Sequence, residues 1–485
     1  MKEILEPVRI LLRQGRTLAA REALDTVRAS AKIPLTEEWR IHELYGAIFH
    51  DLADAEGAAA AYCQAAQVDR YLRAQREHYS NYLFALHYLP DISSAVLAQQ
   101  MKSYQGLYRD EEPLAPRLAT RHDRLRIGFL APDFLESSAA RFYEPLMTGL
   151  DTGCFEVYAY TLNGSEDSFT RQLQSTQLHW RSLQGLSIRQ GADTIRSDEV
   201  DILMDLGGHT AGGLTLMLMA LRPAPVQLCG IGWFDTTGLP AIDGFLTDAV
   251  MDPPSEDGLG RFAEQLLHLP SGFCFQPSAA MQSIERQQRR SDASVVFGSF
   301  QNVMKISRPV MDCWREILSA APTSRLLVQD TTRLPERCQA VWQRLAEAGL
   351  PMGRVMVRPG TDHYLADYQE IDILLDTFPY PGGAAAVTAL YMGVPVVARM
   401  GDHHSARLSA SLLAAAGCRE WIASGNEEYC QIALHLAADP GRLAALQREL
   451  RTVVSQSPLM DRQRYCRDFQ QGCLGLWAQK GDNRL

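Results

Sequence analysis

Lys305 and a glycine-rich turn further along the chain are the residues best suited by type to meet a phosphate-bearing ligand. The lysine closes the run Phe297-Gly298-Ser299-Phe300-Gln301-Asn302-Val303-Met304-Lys305, and the second run is Asp376-Thr377-Phe378-Pro379-Tyr380-Pro381-Gly382-Gly383-Ala384-Ala385-Ala386. Each reads as a strand that ends in a polar or glycine-rich turn before a helix. Such turns gather ligand groups outside the carboxyl ends of strands in α/β domains. A lysine can follow charge developing on a leaving group. Amides at a helix amino terminus lack intrahelical partners and sit at the positive end of the helix dipole. Together the two runs read as two walls of one nucleotide-sugar site.

The elements that must carry these residues fall into three stretches. Residues 1–118 are rich in alanine at helical spacing and poor in strand signals, with two short helices expected around Gly15. The order of large and small residues from Trp39 through Gly46, Phe49, Gly57 and Tyr62 reads as a tetratricopeptide-like hairpin. A helix stopped near Pro90 and the charged connector Arg109-Asp110-Glu111-Glu112-Pro113 follow, with a boundary near Leu118. From Arg126 onward, short apolar runs alternate with helical segments, the pattern of βα units and a parallel sheet. The expected strands are Arg126 to Leu130, Val157 to Tyr160, Asp201 to Asp205, Val226 to Cys229 and Gly244 to Thr247. A second series lies at Val295 to Phe297, Arg325 to Val328, Arg354 to Val357, Ile373 to Asp376 and Val394 to Ala398. The polar stretch 276–294 separates the series. The expected fold is α/β, with two Rossmann-like domains at 119–282 and 283–485 facing a cleft, the GT-B arrangement, after a short all-α domain.

Composition excludes several function classes. A net charge of −10 argues against a general nucleic-acid surface, and the basic run Arg286-Gln287-Gln288-Arg289-Arg290 reads as a solvated linker. Ten cysteines are scattered without zinc spacing and read as small buried hydrophobes of a reducing compartment. Adjacent His403 and His404, without a suitably spaced carboxylate, make a poor metal site. The amino terminus lacks an apolar signal and no apolar run spans a bilayer, so the expectation is a cytoplasmic protein without membrane insertion.

Several phrases occur in an order that resembles one family. Ser80-Asn81-Tyr82-Leu83-Phe84-Ala85-Leu86 precedes Gly128-Phe129-Leu130-Ala131-Pro132-Asp133-Phe134 and Asp205-Leu206-Gly207-Gly208-His209-Thr210. Next come Arg222-Pro223-Ala224-Pro225-Val226-Gln227, Gly232-Trp233-Phe234-Asp235-Thr236-Thr237-Gly238, the Lys305 run, Asp376-Thr377-Phe378-Pro379-Tyr380 and Gly393-Val394-Pro395-Val396-Val397. This order is similar to that of the bacterial relatives of the O-linked N-acetylglucosamine transferases and SPINDLY proteins. The resemblance implies an inverting, metal-independent, cofactor-free transferase that moves a sugar, N-acetylglucosamine or another hexose, from a UDP or GDP donor to Ser or Thr of a protein. Flagellin or another surface protein falls within the family's range of acceptors, and the short helical region leaves room for a homo-oligomer.

The resemblance also implies roles. Lys305 matches the diphosphate-binding lysine and Asn302 a phosphate-contacting amide, while Thr361, Asp362 and His363 fall where relatives bind the nucleobase, with His363 as the stacking ring. Gly382, Gly383, Ala384 and Ala385 match the diphosphate turn, but relatives carry a His and a run of Thr there, and Thr388 replaces an acidic ribose contact. Ser137 stands where relatives carry an active-site His. A serine is no general base without activation, which leaves Asp133, His209 and Glu136 as candidates in motif terms. These departures open two alternatives: a sugar-nucleotide- or partner-binding protein that has lost turnover, and transfer to an Asn side chain.

Overall fold

The computed structural model describes residues 2–30, 33–115, 122–256, 260–285 and 294–482. They form two compact units, one of residues 93–276 and 456–485 and one of residues 1–92 and 277–455. The expected boundary at Leu118 and the basic run from Arg286 to Arg290 lie outside the described residues.

The first unit contains β1 (Leu125–Ala131), β2 (Phe155–Thr161), β3 (His179–Ser182), β4 (Ile202–Asp205), β5 (Val226–Cys229), β6 (Gly244–Asp248) and β7 (Gln265–Leu269). These strands are all parallel, in the order β3-β2-β1-β4-β5-β6-β7. β4, β5 and β6 are buried along their whole length, as central strands of a sheet covered on both faces must be. The carboxyl-terminal helix Arg462–Asp482 belongs to this unit, where Phe469 and Cys473 join the core formed by Phe129, Met204 and Leu228.

The second unit contains β8 (Val296–Phe300), β9 (Arg325–Gln329), β10 (Val355–Arg358), β11 (Ile373–Leu375), β12 (Val396–Arg399) and β13 (Ile422–Ala423). They too run parallel, in the order β10-β9-β8-β11-β12-β13. All ten strands expected from the sequence are present. β3, β7 and β13 were not expected, and each is an edge strand. β3 is the polar run His-Trp-Arg-Ser, β7 is opened by Gln265 and broken by His268, and β13 is two residues long, whereas the edge strand β10 carries Val-Met-Val and was expected.

Among the described residues of 1–92, five α-helices belong to the same unit: Lys2–Arg13, Thr17–Ser30, Glu38–Asp51, Ala55–Val68 and Leu72–Leu86. Gly15, at φ +70°, turns the chain between the first two. The third and fourth form a hairpin whose large and small residues interlock. A Cβ on Gly46 would lie 2.5 Å from the Tyr62 ring, and one on Gly57 would lie 2.7 Å from Phe49. Ala53, at φ +57°, ends the third helix, and the Asp54 side chain caps the fourth by accepting from the Gly57 amide.

Eight of the ten cysteines are buried, while Cys63 is half-buried and Cys154 exposed. Among the described residues, no helix is long and apolar enough to cross a membrane.

The interlocked hairpin makes Gly46→Ala destabilising although alanine favours helix. Overpacking against Tyr62 should cost about 1–3 kcal/mol, read as a lower urea midpoint with an unchanged m-value.

Candidate functional site

The strand order reverses direction between β8 and β11, so their outgoing loops part at the crevice where open parallel sheets bind ligands. Those loops are the two runs singled out in the sequence. Lys305 ends a single 3₁₀ turn, Val303–Lys305, capped by Asn302, whose side-chain oxygen accepts from the Met304 amide at 3.0 Å. The lysine then crosses to the other loop. Its Nζ donates to the Pro381 carbonyl at 2.7 Å and lies 3.9 Å from the centroid of the Tyr380 ring.

The Lys305 side chain keeps part of its surface open to solvent, while its ammonium rests against the Pro381 carbonyl and the Tyr380 ring. Burial pushes its pKa down to about 8, against the attraction of Asp376. Asp376 is itself buried and raised above the usual carboxylate range by desolvation. The Ser409 hydroxyl, the Gly382 amide and Lys305 pull the other way. Asp376 Oδ1 accepts from the Thr377 amide at 2.9 Å and the Gly382 amide at 2.6 Å, closing the loop on itself.

The helix Ala384–Tyr391 starts directly after this loop. Gly383 sits at φ +56°, ψ −99°, and a Cβ there would also lie 2.7 Å from Leu408, so the turn needs glycine. The sequence assigned the amides of Gly383, Ala384 and Ala385 to a phosphate cradle. In the structure the Gly383 amide donates to Ser409 Oγ at 3.1 Å, the Gly382 amide to Asp376, and the Ala385 amide reaches the Gly382 carbonyl at 3.4 Å. Two of the three assigned amides, those of Gly383 and Ala385, are thus bonded within or beside the turn itself. Thr388 is only 6% exposed, packed inside the same helix.

The stretch assigned to the nucleobase follows β10. Thr361 Oγ1 donates to Asp367 at 2.5 Å and accepts from the His363 amide at 3.1 Å, which shapes the turn. Asp362 pairs with Arg333, and His363 is exposed at the start of the short helix Tyr364–Asp367. The oxygen of Asn302 is committed to Met304 and to Arg337, which gives this residue an internal role beside any ligand contact.

In the other unit, Asp133 follows β1 and His209 follows β4, on either side of that sheet's own reversal of strand order. Asp133 is half-buried; its two oxygens accept from the Leu135 amide at 3.3 Å and from Asn163 Nδ2 at 3.4 Å. His209 is 1% exposed, set edge-on to Tyr104 and Trp233, and its Nε2 donates to the Thr237 carbonyl at 3.1 Å. That environment suits a ring that holds the loop 232–238. Ser137 is exposed and accepts from the Ala140 amide, while Glu136 pairs with Arg141. His403 bonds Ser405 Oγ within a buried turn. Sequence reasoning gave no role to Asp376 or Tyr380, although both stand inside the motif it used. An aspartate at a strand end before a glycine-rich turn was the available signal.

The sequence pattern of glycosyl transferase family 41 matches residues 104–288 and 276–469. SPINDLY of Petunia hybrida, which carries the name "Probable UDP-N-acetylglucosamine--peptide N-acetylglucosaminyltransferase", is 36% identical over 372 residues, 74% of this chain and 39% of its own length. SEC of Arabidopsis thaliana, under the same enzyme name, is 26% identical over 369 residues, 73% of this chain and 37% of its own. The chain thus spans about two fifths of the length of these plant relatives. Among solved structures, a mutant O-GlcNAc transferase of Thermobaculum terrenum superposes with a TM-score of 0.84 at 26% identity, covering 100% of this chain and 98% of that one.

The carboxylate of Asp376 is the clasp of the Lys305 site. Asp376→Ala leaves two loop amides without their acceptor and should lower stability by about 3 kcal/mol, measured by urea denaturation.

Proposed function

Because the chain belongs to glycosyl transferase family 41 and has the two-sheet GT-B type of fold, we propose that it transfers a hexose or N-acetylhexosamine from a nucleoside-diphosphate sugar, UDP-linked in the first instance, to Ser or Thr of a protein. The observation that carries this reading is Lys305, an ammonium held between two loops at the switch point of a parallel sheet.

In this reading the acceptor hydroxyl attacks the anomeric carbon from the face opposite the diphosphate. The new C–O bond forms as the bond to the β-phosphate oxygen breaks, and its electron pair leaves with the nucleoside diphosphate, inverting the centre. Negative charge grows on the departing oxygen. Lys305 and the first-turn amides of the helix Ala384–Tyr391 are fixed before that charge appears, which is the condition for strong electrostatic stabilisation. This is the support for a reaction without a metal. Absence of the hydroxyls that relatives carry at Ala384 and Ala385 removes neutral hydrogen bonds of about 1 kcal/mol each, which weakens donor binding more than it alters the chemistry. His363, exposed after β10, would stack on the base. Asp133, less buried than His209 and, unlike Glu136, not paired with Arg141, would take the acceptor proton, and His209 would hold its loop.

A second reading, a donor-binding protein without turnover, draws on the same turn, where the Gly382 and Gly383 amides are bonded internally. Nucleoside diphosphate release from a panel of UDP- and GDP-sugars, with protein extract as acceptor, separates the two. Acceptor-dependent release supports transfer, and tight binding of UDP without release supports the binding protein.

For the transferase, Lys305→Ala should lower kcat by about 10²–10³-fold. The wild-type profile of kcat/KM should fall as pH rises through about 8, because only the ammonium form is useful and this ratio reports the free enzyme. The limb in kcat should lie at higher pH, since a bound diphosphate favours the charged lysine. Persistence of the alkaline limb in Lys305→Ala would assign it to another group.

A further inference from the structure

The helix Pro335–Glu347 carries two arginines seven residues apart, two turns along one face. Each joins the same two segments. Arg337 donates to the His50 carbonyl at 3.1 Å and to the side-chain oxygen of Asn302. Arg344 donates to the Ala53 carbonyl at 2.7 Å and to the Ile306 carbonyl at 2.7 Å. His50 and Ala53 flank the turn of the N-terminal helical hairpin. Asn302 and Ile306 flank the turn that carries Lys305, one before the lysine and one directly after it. A guanidinium suits this task because its planar fork serves two acceptors at once, where an ammonium is a single point of charge.

The Arg337 end is dry. Its side chain and that of Asp330 are both 0% exposed, with Arg337 Nε 3.1 Å from Asp330 Oδ2. Asp330 Oδ1 in turn accepts from the Val303 amide at 3.2 Å, inside the lysine's own 3₁₀ turn. A second route reaches the lysine from the other side. Phe84, in the helix Leu72–Leu86, and Tyr88, two residues beyond it, pack against Tyr380 at centroid distances of 6.3 and 5.2 Å, and Tyr380 is the ring beneath Lys305 Nζ.

We propose that Arg337 and Arg344 are positioning residues for Lys305, and that through them the N-terminal helical hairpin is a working part of the donor-binding wall. The proposal rests on the reading of Lys305 as the diphosphate cation. A displacement of the hairpin turn, by a bound acceptor or by mutation, is transmitted to the lysine along short hydrogen bonds.

The test uses the full chain with Arg344→Met, which keeps the apolar stem but no donor, Arg344→Lys as partial rescue, and Gln343→Ala, exposed on the same helix, as control. Competitive acetylation of Lys305 across pH, read by peptide mass spectrometry without any nucleotide, reports the lysine directly; the chain has only five lysines, so the signal is clean. In Arg344→Met the midpoint for Lys305 should rise by about one pH unit as its enclosure loosens. Its kcat should fall about tenfold with a smaller change in KM, the mark of a misplaced group rather than a lost contact. Arg344→Lys should recover part of both, and Gln343→Ala should match the wild type. Should Arg344→Met fail to fold, Arg344→Gln serves with the same readouts. An unchanged Lys305 midpoint in a folded Arg344 variant, with any rate loss explained by a lower Tm alone, overturns the proposal. Absence of sugar transfer by the wild type would instead remove the donor reading, while the acetylation midpoint still decides the coupling.

Discussion

An ammonium enclosed by protein is unfavourable unless its surroundings replace the water it has lost, and that constraint organises the second unit around Lys305. The Pro381 carbonyl accepts a hydrogen bond from it, the Tyr380 ring offers its negative face, and Asp376 supplies an opposite charge. Each partner lies on the loop after β11, while the lysine lies on the loop after β8. The contact therefore exists only because the sheet places those strands side by side at its reversal point. Burial pushes the pKa of the lysine down to about 8, against the attraction of Asp376.

The same local device closes the loop after the corresponding strand in both sheets. β4 ends on Asp205, whose carboxylate accepts from the Gly207 and Gly208 amides at 2.8 and 2.9 Å, and Asp376, directly after β11, accepts from Thr377 and Gly382. In each case a buried carboxylate replaces water as the acceptor for amides that a tight glycine turn turns inward. The two differ in what stands beside them. Asp205 is approached by the thiol of Cys229, which leaves it a purely architectural group, whereas Asp376 is approached by Lys305. A fold element that is structural in one unit has become part of a charged site in the other.

How far the site could be read from the sequence follows from this. The strands buried on both faces announce themselves as apolar runs, and the loops after them carry glycine, proline and charge in a readable order. β3, β7 and β13 lack that signal because the first is polar, the second is interrupted by His268 and the third is only two residues long. Residue roles were harder to read than element positions. A glycine-rich turn before a helix suggests a phosphate cradle, but whether its amides face a ligand depends on Asp376 and Ser409, one of them far away in sequence. His209 looks like a catalytic base in a motif and is sealed between Tyr104 and Trp233 in the fold. Asn302 has its oxygen taken by Arg337, a residue whose importance no local pattern could disclose, because its partners come from three separate parts of the chain.

The proposed reaction forms a glycosidic bond between a donor sugar and a protein hydroxyl. Its most direct test is mass spectrometry of acceptor protein incubated with the chain and a nucleotide sugar, followed by linkage and anomeric analysis of the modified peptide. The expected product carries a mass increase of one sugar on Ser or Thr, with the anomeric configuration opposite to that of the donor. Retained configuration would contradict the single-displacement mechanism, and a donor consumed only to free sugar, with no modified protein, would contradict the transfer itself.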